Sequence, residues 1–270
     1  MIHESARIRH GVTQTRNLDF VVGPPAVDPS KHCPARSLFN YFSVAGKQLR
    51  LLLIVVLISL FSFGTSRALR RDSGKVEPIG SFTEAAASDA LKKVLEAKGY
   101  RITVGDGAAL CDIWLRAGIA ANASSDMQGV AYTTIPESSF LGVITFPKPA
   151  TDFRKQGIKP GSYTMRYALH PVDGNHLGIS PIRDFILLLP LAIDQNPNTK
   201  PKFEELTAMS KKASGTNHPS PLSLVMTDGI TAWPSVIEDE NGHLVFAANM
   251  KTAAGAVLPL ALVVKGVVEQ

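Results

Sequence analysis

The residues best suited to chemistry lie in Leu169-His170-Pro171-Val172-Asp173-Gly174-Asn175-His176-Leu177-Gly178. The spacing His-x2-Asp-x2-His offers two imidazoles and a carboxylate, donors that suit zinc or another first-row divalent metal. His218, in Gly215-Thr216-Asn217-His218-Pro219, is the candidate fourth ligand if the loops converge. The metal reading therefore comprises His170, Asp173, His176 and His218. The same decapeptide is rich in Pro, Asp, Gly and Asn, the residues of ordinary turns, and a plain loop competes with the metal site.

The segment before it alternates with period two. Tyr163, Met165, Tyr167 and Leu169 share one face; Thr164, Arg166, Ala168 and His170 share the other. With the apolar set in the core, Arg166 and His170 are expected to point outward together. The expected contact surface for a ligand is Arg166, His170, Asp173, His176 and the nearby Asp184. Asp152-Phe153-Arg154 and Arg183-Asp184-Phe185 are mirror-image tripeptides. They read either as a charged rim, with Arg as a forked donor, or as exposed ion pairs tying two loops, worth about 0–1 kcal/mol each. Trp114 and Trp233 could stack a sugar, although burial under a helix explains Trp114 equally well. Cys111 sits between Leu110 and Asp112-Ile113-Trp114 and reads as a buried, inert thiol. Asn122-Ala123-Ser124 matches a glycosylation acceptor, which matters only in a pathway with that machinery. G-x-S-x-G, HExxH, C-x-x-C and Walker motifs are absent. No catalytic residue can be nominated.

Positioning these groups falls mainly to strands. Ser81–Lys98 is the clearest helix, with Ser81 or Thr83 as cap, Ala87, Leu91, Val94 and Leu95 as its stripe and Gly99 as its stop. Tyr100–Val104 and Ala109–Arg116 flank Gly105-Asp106-Gly107, a strong hairpin signal. Further strands are expected at Leu141–Phe146, Gly161–His170, Phe185–Leu191, Leu222–Thr227, Val236–Glu238, His243–Asn249 and Val257–Val268. Asn241-Gly242 turns between two of them, and a short helix is expected at Lys202–Lys212. Phe185–Leu191 is apolar on both faces, so that strand should be central and covered on each side. The fold class is mainly β: a β-sandwich or partly open barrel with one or two peripheral helices.

Leu51–Phe63 (LLLIVVLISLFSF) follows Lys47 and Arg50 and precedes Ser66-Arg67-Ala68. A basic lead-in, a short apolar core and a small-x-small end are the parts of a secretory signal peptide. Thirteen residues make a helix of about 20 Å, short of the roughly 30 Å of a bilayer core. The reading is a leader over residues 44–68, cut after Ala68, and a single β-rich domain over 69–270. Residues 1–43 lack any sustained apolar period and read as disordered, or as a start assigned too early. The alternative is an uncleaved signal anchor at residues 51–63, which Arg67, Arg70 and Arg71 support by weakening the charge asymmetry. Localisation is accordingly expected to be periplasmic or secreted, or else membrane-anchored through that run. The whole chain carries +5, but residues 1–68 hold 8 Lys/Arg against 3 Asp/Glu, and residues 69–270 hold 20 of each sign. The basic surplus belongs to the leader, which argues against nucleic acid as a partner. Only Cys111 remains after cleavage, so packing alone must stabilise the domain.

The stretch Leu141–Phe146, then Asp152-Phe153-Arg154, then Ile158-Lys159-Pro160-Gly161-Ser162-Tyr163-Thr164 resembles a family of exported bacterial β-sandwich proteins of unassigned function. That family carries a hairpin of the form I-x-(P/A)-G-x-Y-(S/T). The resemblance implies a secreted β-rich domain and supplies no catalytic residues. The functional expectation is an exported, non-catalytic binding or structural domain contacting an extracytoplasmic ligand or protein. The alternative is a metal-dependent enzyme built on His170, Asp173 and His176.

Overall fold

Alternating segments that need a buried face on one side only build antiparallel sheets. In a computed structural model of the chain, residues 74–105, 107–172, 180 and 182–268 are described, all within the compact unit 67–270. The leader, Asp173 and His176 lie outside the described residues. A seven-stranded sheet has the order β1 (Gly74–Ile79), β2 (Gly99–Val104), β3 (Ala108–Leu115), β4 (Phe140–Phe146), β7 (Gly161–Leu169), β8 (Asp184–Pro190) and β9 (Pro221–Ser223). A three-stranded sheet comprises β10 (Ser235–Glu238), β11 (Leu244–Lys251) and β12 (Val257–Lys265). A small ribbon pairs β5 (Ala150–Thr151) with β6 (Gly157–Ile158). Every ladder pairing is antiparallel, and no sheet closes into a barrel.

The main core lies between the two larger sheets. Tyr100, Ile102, Ile113, Met165 and Ile186 meet Phe246, Ala248, Leu260 and Leu262, all buried. The Tyr100 and Phe246 rings stand 5.4 Å apart, and an antiparallel bridge from Leu224 to Leu262 joins the sheets along one margin. Cys111 is fully buried in this core, and burial pushes its thiol far up, out of reach of nucleophilic chemistry. On the opposite face, Phe185, Leu187 and Leu189 of β8 pack on α2 (Phe203–Ser214) through Leu206. Strand β8 is therefore covered on both sides, as its apolar run requires.

Two expectations change. The first helix is a short α1 (Asp89–Val94), not Ser81–Lys98. Ser88 caps it, accepting from the Leu91 N–H, while its hydroxyl donates to the Gln195 carbonyl at 2.6 Å. Phe82 and Ala87 pack beside Leu91 and Trp114 from the irregular segment before that cap. Gly99 opens β2 and is not a helix stop. A Cβ there would lie 2.5 Å from the Trp114 indole nitrogen, so glycine makes room for the tryptophan. The second change is the Ile158–Tyr163 motif, which turns a corner between sheets. Ile158 pairs with Ala150 in the ribbon, whereas Gly161 pairs with Phe146 in the large sheet. The Tyr163 hydroxyl donates back to the Lys159 carbonyl at 2.8 Å and fastens the corner.

Strand β1 was not foreseen from sequence. Its exposed Lys75, Glu77 and Pro78 are the devices of an edge strand. Gly142 interrupts β4 at a register shift with φ +154°, and a Cβ there would stand 2.2 Å from the Trp114 carbonyl oxygen. The close approach of β3 and β4 needs that glycine.

Candidate functional site

Strand parity on β7 is as read: Tyr163, Met165, Tyr167 and Leu169 all enter the main core. The other face is not open to solvent. Arg166 is fully buried, because the segment from Asp194 to Thr199 folds over it. Its Nε and one Nη donate to the two Asp194 carboxylate oxygens at 2.8 and 2.7 Å. The remaining donors reach the carbonyls of Ser138, Asn196 and Thr199 at 3.1, 2.8 and 2.8 Å. A guanidinium has five N–H groups, and here all five are used. Thr164 adds a 2.6 Å hydrogen bond to Asp194. Arg166 is thus a satisfied buried charge, not an outward ligand contact.

Asp184 is also fully buried, on the opposite, core-facing side of the sheet. It accepts from the Ala131 and Tyr132 N–H groups at 2.9 and 3.0 Å and from the Tyr167 hydroxyl at 2.6 Å. Burial, with the adjoining Asp184 carboxylate, pushes the Tyr167 phenol far up and keeps it a donor. Tyr132 in turn donates to Val225 O at 2.7 Å and accepts from Ala261 N–H, joining the two sheets. Arg183 holds the same loop through its N–H to Gly129 O at 2.7 Å and its guanidinium to His170 O at 2.9 Å. Asp152, the acid of the other tripeptide, is fully buried and accepts from Arg154 N, Gln156 N and Gln156 Nε2. Both tripeptides tie loops, but by charge-to-amide hydrogen bonds in place of ion pairs.

The metal candidates do not assemble around His218. His170 follows β7 at the Asp184 end of β8, its ring stacked on Phe185 at 4.3 Å. His218 is exposed and leads into Pro221, which pairs with Leu187 so that the chain before it runs toward the Pro190 end. Strand rise places the two histidines roughly 20 Å apart. Asp173 and His176 lie outside the described residues, and among the described residues no three His, Cys, Asp or Glu side chains converge. Trp114 is buried, its indole donating to Gly80 O at 2.8 Å and its ring 4.9 Å from Phe82, which removes it as a sugar platform. Trp233 is half-buried and donates to Ile230 O.

The residues that Asp184 and Arg183 position form one wall of a cleft of about 300 Å³ between the loop 122–137 and β7. Met127, Val130, Ile135, Tyr167 and Leu169 give it apolar walls, and Glu137 supplies a charge. A second cavity, of about 200 Å³, lies where Arg116 at the end of β3 meets Pro197–Lys200. Sequence reasoning missed Arg116 and Lys200, which no local motif joins. Comparison with family models, with curated proteins and with solved structures found no match.

Replacing Arg166 by Met leaves the Asp194 carboxylate, 3% exposed, without its counter-charge. Urea unfolding of Arg166→Met should show a loss of about 3–5 kcal/mol. The double variant R166M/D194L should lose at least about 1 kcal/mol less than the sum of the single losses. Additive losses would contradict a coupled buried pair.

Proposed function

We propose that the chain is exported and that its β-sandwich acts outside the cytoplasm as a non-catalytic binding domain. The observation that carries the reading is the cleft between the loop 122–137 and β7. Its volume of about 300 Å³ lies at the lower end of the range of small-molecule pockets, and its walls mix Met127, Val130, Ile135 and Leu169 with the polar groups of Asn122, Ser125, Thr133 and Glu137. The loop that forms it is pinned by its Ala131 and Tyr132 N–H groups donating to Asp184 and by its Gly129 carbonyl accepting from the Arg183 N–H, so the cavity is built before a ligand arrives. Preformed walls reduce the ordering cost of binding. A ligand suited to it is compact and largely apolar, with one group able to hydrogen-bond near Glu137 or Thr133.

Export is supported by the apolar run Leu51–Phe63 and its basic lead-in. Among the described residues, no helix is long and apolar enough to cross a membrane.

Two experiments test the reading. Phenylnaphthylamine, a neutral fluorescent probe, should bind saturably, and Val130→Trp or Thr133→Trp should weaken it by about tenfold or more with melting unchanged. No saturable binding, or equal binding by both filled variants, would contradict the cleft. Mass spectrometry of the product from an export-competent host should find Leu69 as the first residue. An intact product beginning at Met1 in the cytosol would contradict export.

A further inference from the structure

Arg116 has a charge that the chain does not balance. Its Nε donates to Gly118 O at 2.9 Å, one Nη to Pro197 O at 3.0 Å and the other to Asn198 Oδ1 at 3.1 Å. All three acceptors are neutral. No carboxylate pairs with Arg116 among the described residues. Burial disfavours its charged form, and the neighbouring Arg166 cation adds to that effect. Asp194, the nearby acid, spends both oxygens on Arg166. Lys200 lines the same cavity of about 200 Å³ and brings a further positive charge. Arg116, Arg166 and Lys200 thus stand against the single carboxylate of Asp194.

A half-buried guanidinium among neutral acceptors and a second guanidinium is an arrangement that a bound negative charge would relieve. Three of the five Arg116 N–H groups are occupied, so two remain for a ligand's oxygens. Charge-assisted hydrogen bonds from guanidinium to an oxyanion are the strong kind. Ile119, Phe140 and Pro197 complete the wall, leaving apolar surface beside the cations. The volume admits a group of a few heavy atoms. We propose that the cavity between Arg116 and Lys200 binds a small oxyanion, a carboxylate or phosphoryl group, with Arg116 and Lys200 as its ligands. This site is separate from the cleft at Tyr167 and Leu169 and does not depend on that reading.

The test uses the purified chain at low ionic strength, titrated calorimetrically with butyrate and, in a second arm, with inorganic phosphate. At least one should bind with one site per chain and raise the melting temperature. Binding of butyrate alone identifies a carboxylate site with an apolar stem; binding of phosphate alone identifies a phosphoryl site. Affinity should fall about tenfold in Arg116→Gln and in Lys200→Gln. Lys200 is exposed, so its substitution leaves folding intact if loss of the Arg116 contacts does not. Lys75→Gln, on the edge strand β1, should bind as the parent does. Saturable binding by neither probe, or affinity unchanged in Lys200→Gln, would overturn the proposal.

Discussion

A guanidinium with no water near it must find five acceptors within the protein, and that demand at Arg166 organises one side of this molecule. Arg166 stands on β7 in the middle of the large sheet, on the face away from the main core. Asp194 cancels its charge, and the carbonyls of Ser138, Asn196 and Thr199 take its other protons. Those groups come from the turn just before β4 and from the segment after β8. The buried cation therefore fixes where both segments lie. Desolvating such a pair is expensive, and its value here is positional: it draws an irregular segment onto the sheet. The cavity beside Arg116 is walled by that segment, and so inherits its shape from the buried pair.

The opposite face follows the same logic with the sign reversed. Asp184 is an acid facing the core, and its oxygens are met by the Ala131 and Tyr132 N–H groups and the Tyr167 hydroxyl. The loop 122–137 is held to the sheet end by that carboxylate and by Arg183. The cleft at Val130 and Leu169 is the space left beneath it. Both cavities thus arise because a charged group inside the sheet recruits backbone from a long connection. A scaffold of this kind can vary its loops while retaining two anchors.

What could be read from the sequence was what neighbours in the chain decide. The hairpin at Gly105–Gly107, the turn at Asn241-Gly242 and the parity of β7 follow from period two and turn chemistry. So does the two-sided cover of β8, whose apolar run leaves no solvent face. Burial of Arg166 could not be read, because its cover comes from residues 194–199, beyond the next strand. The helix expected from Ser81 shortens to α1 for a related reason: Ser88 caps it with help from Gln195, a partner far along the chain. That Arg116 and Lys200 line one cavity leaves no local trace at all. The segment holding His170 shares its end of the sheet with Asp184 and the cleft, whereas Arg166 lies on the other face under residues 194–199 and His218 at the opposite strand ends.

Proton exchange at the Arg166 side chain tests most directly whether buried charges hold these loops in place. With all five donors bonded and no solvent exposure, the Arg166 Nε–H resonance should persist in deuterated buffer on the timescale of the central β8 amides. Loss of that signal within the mixing time, as for an exposed arginine, would show that the segment 194–199 does not seal the cation and would contradict the account.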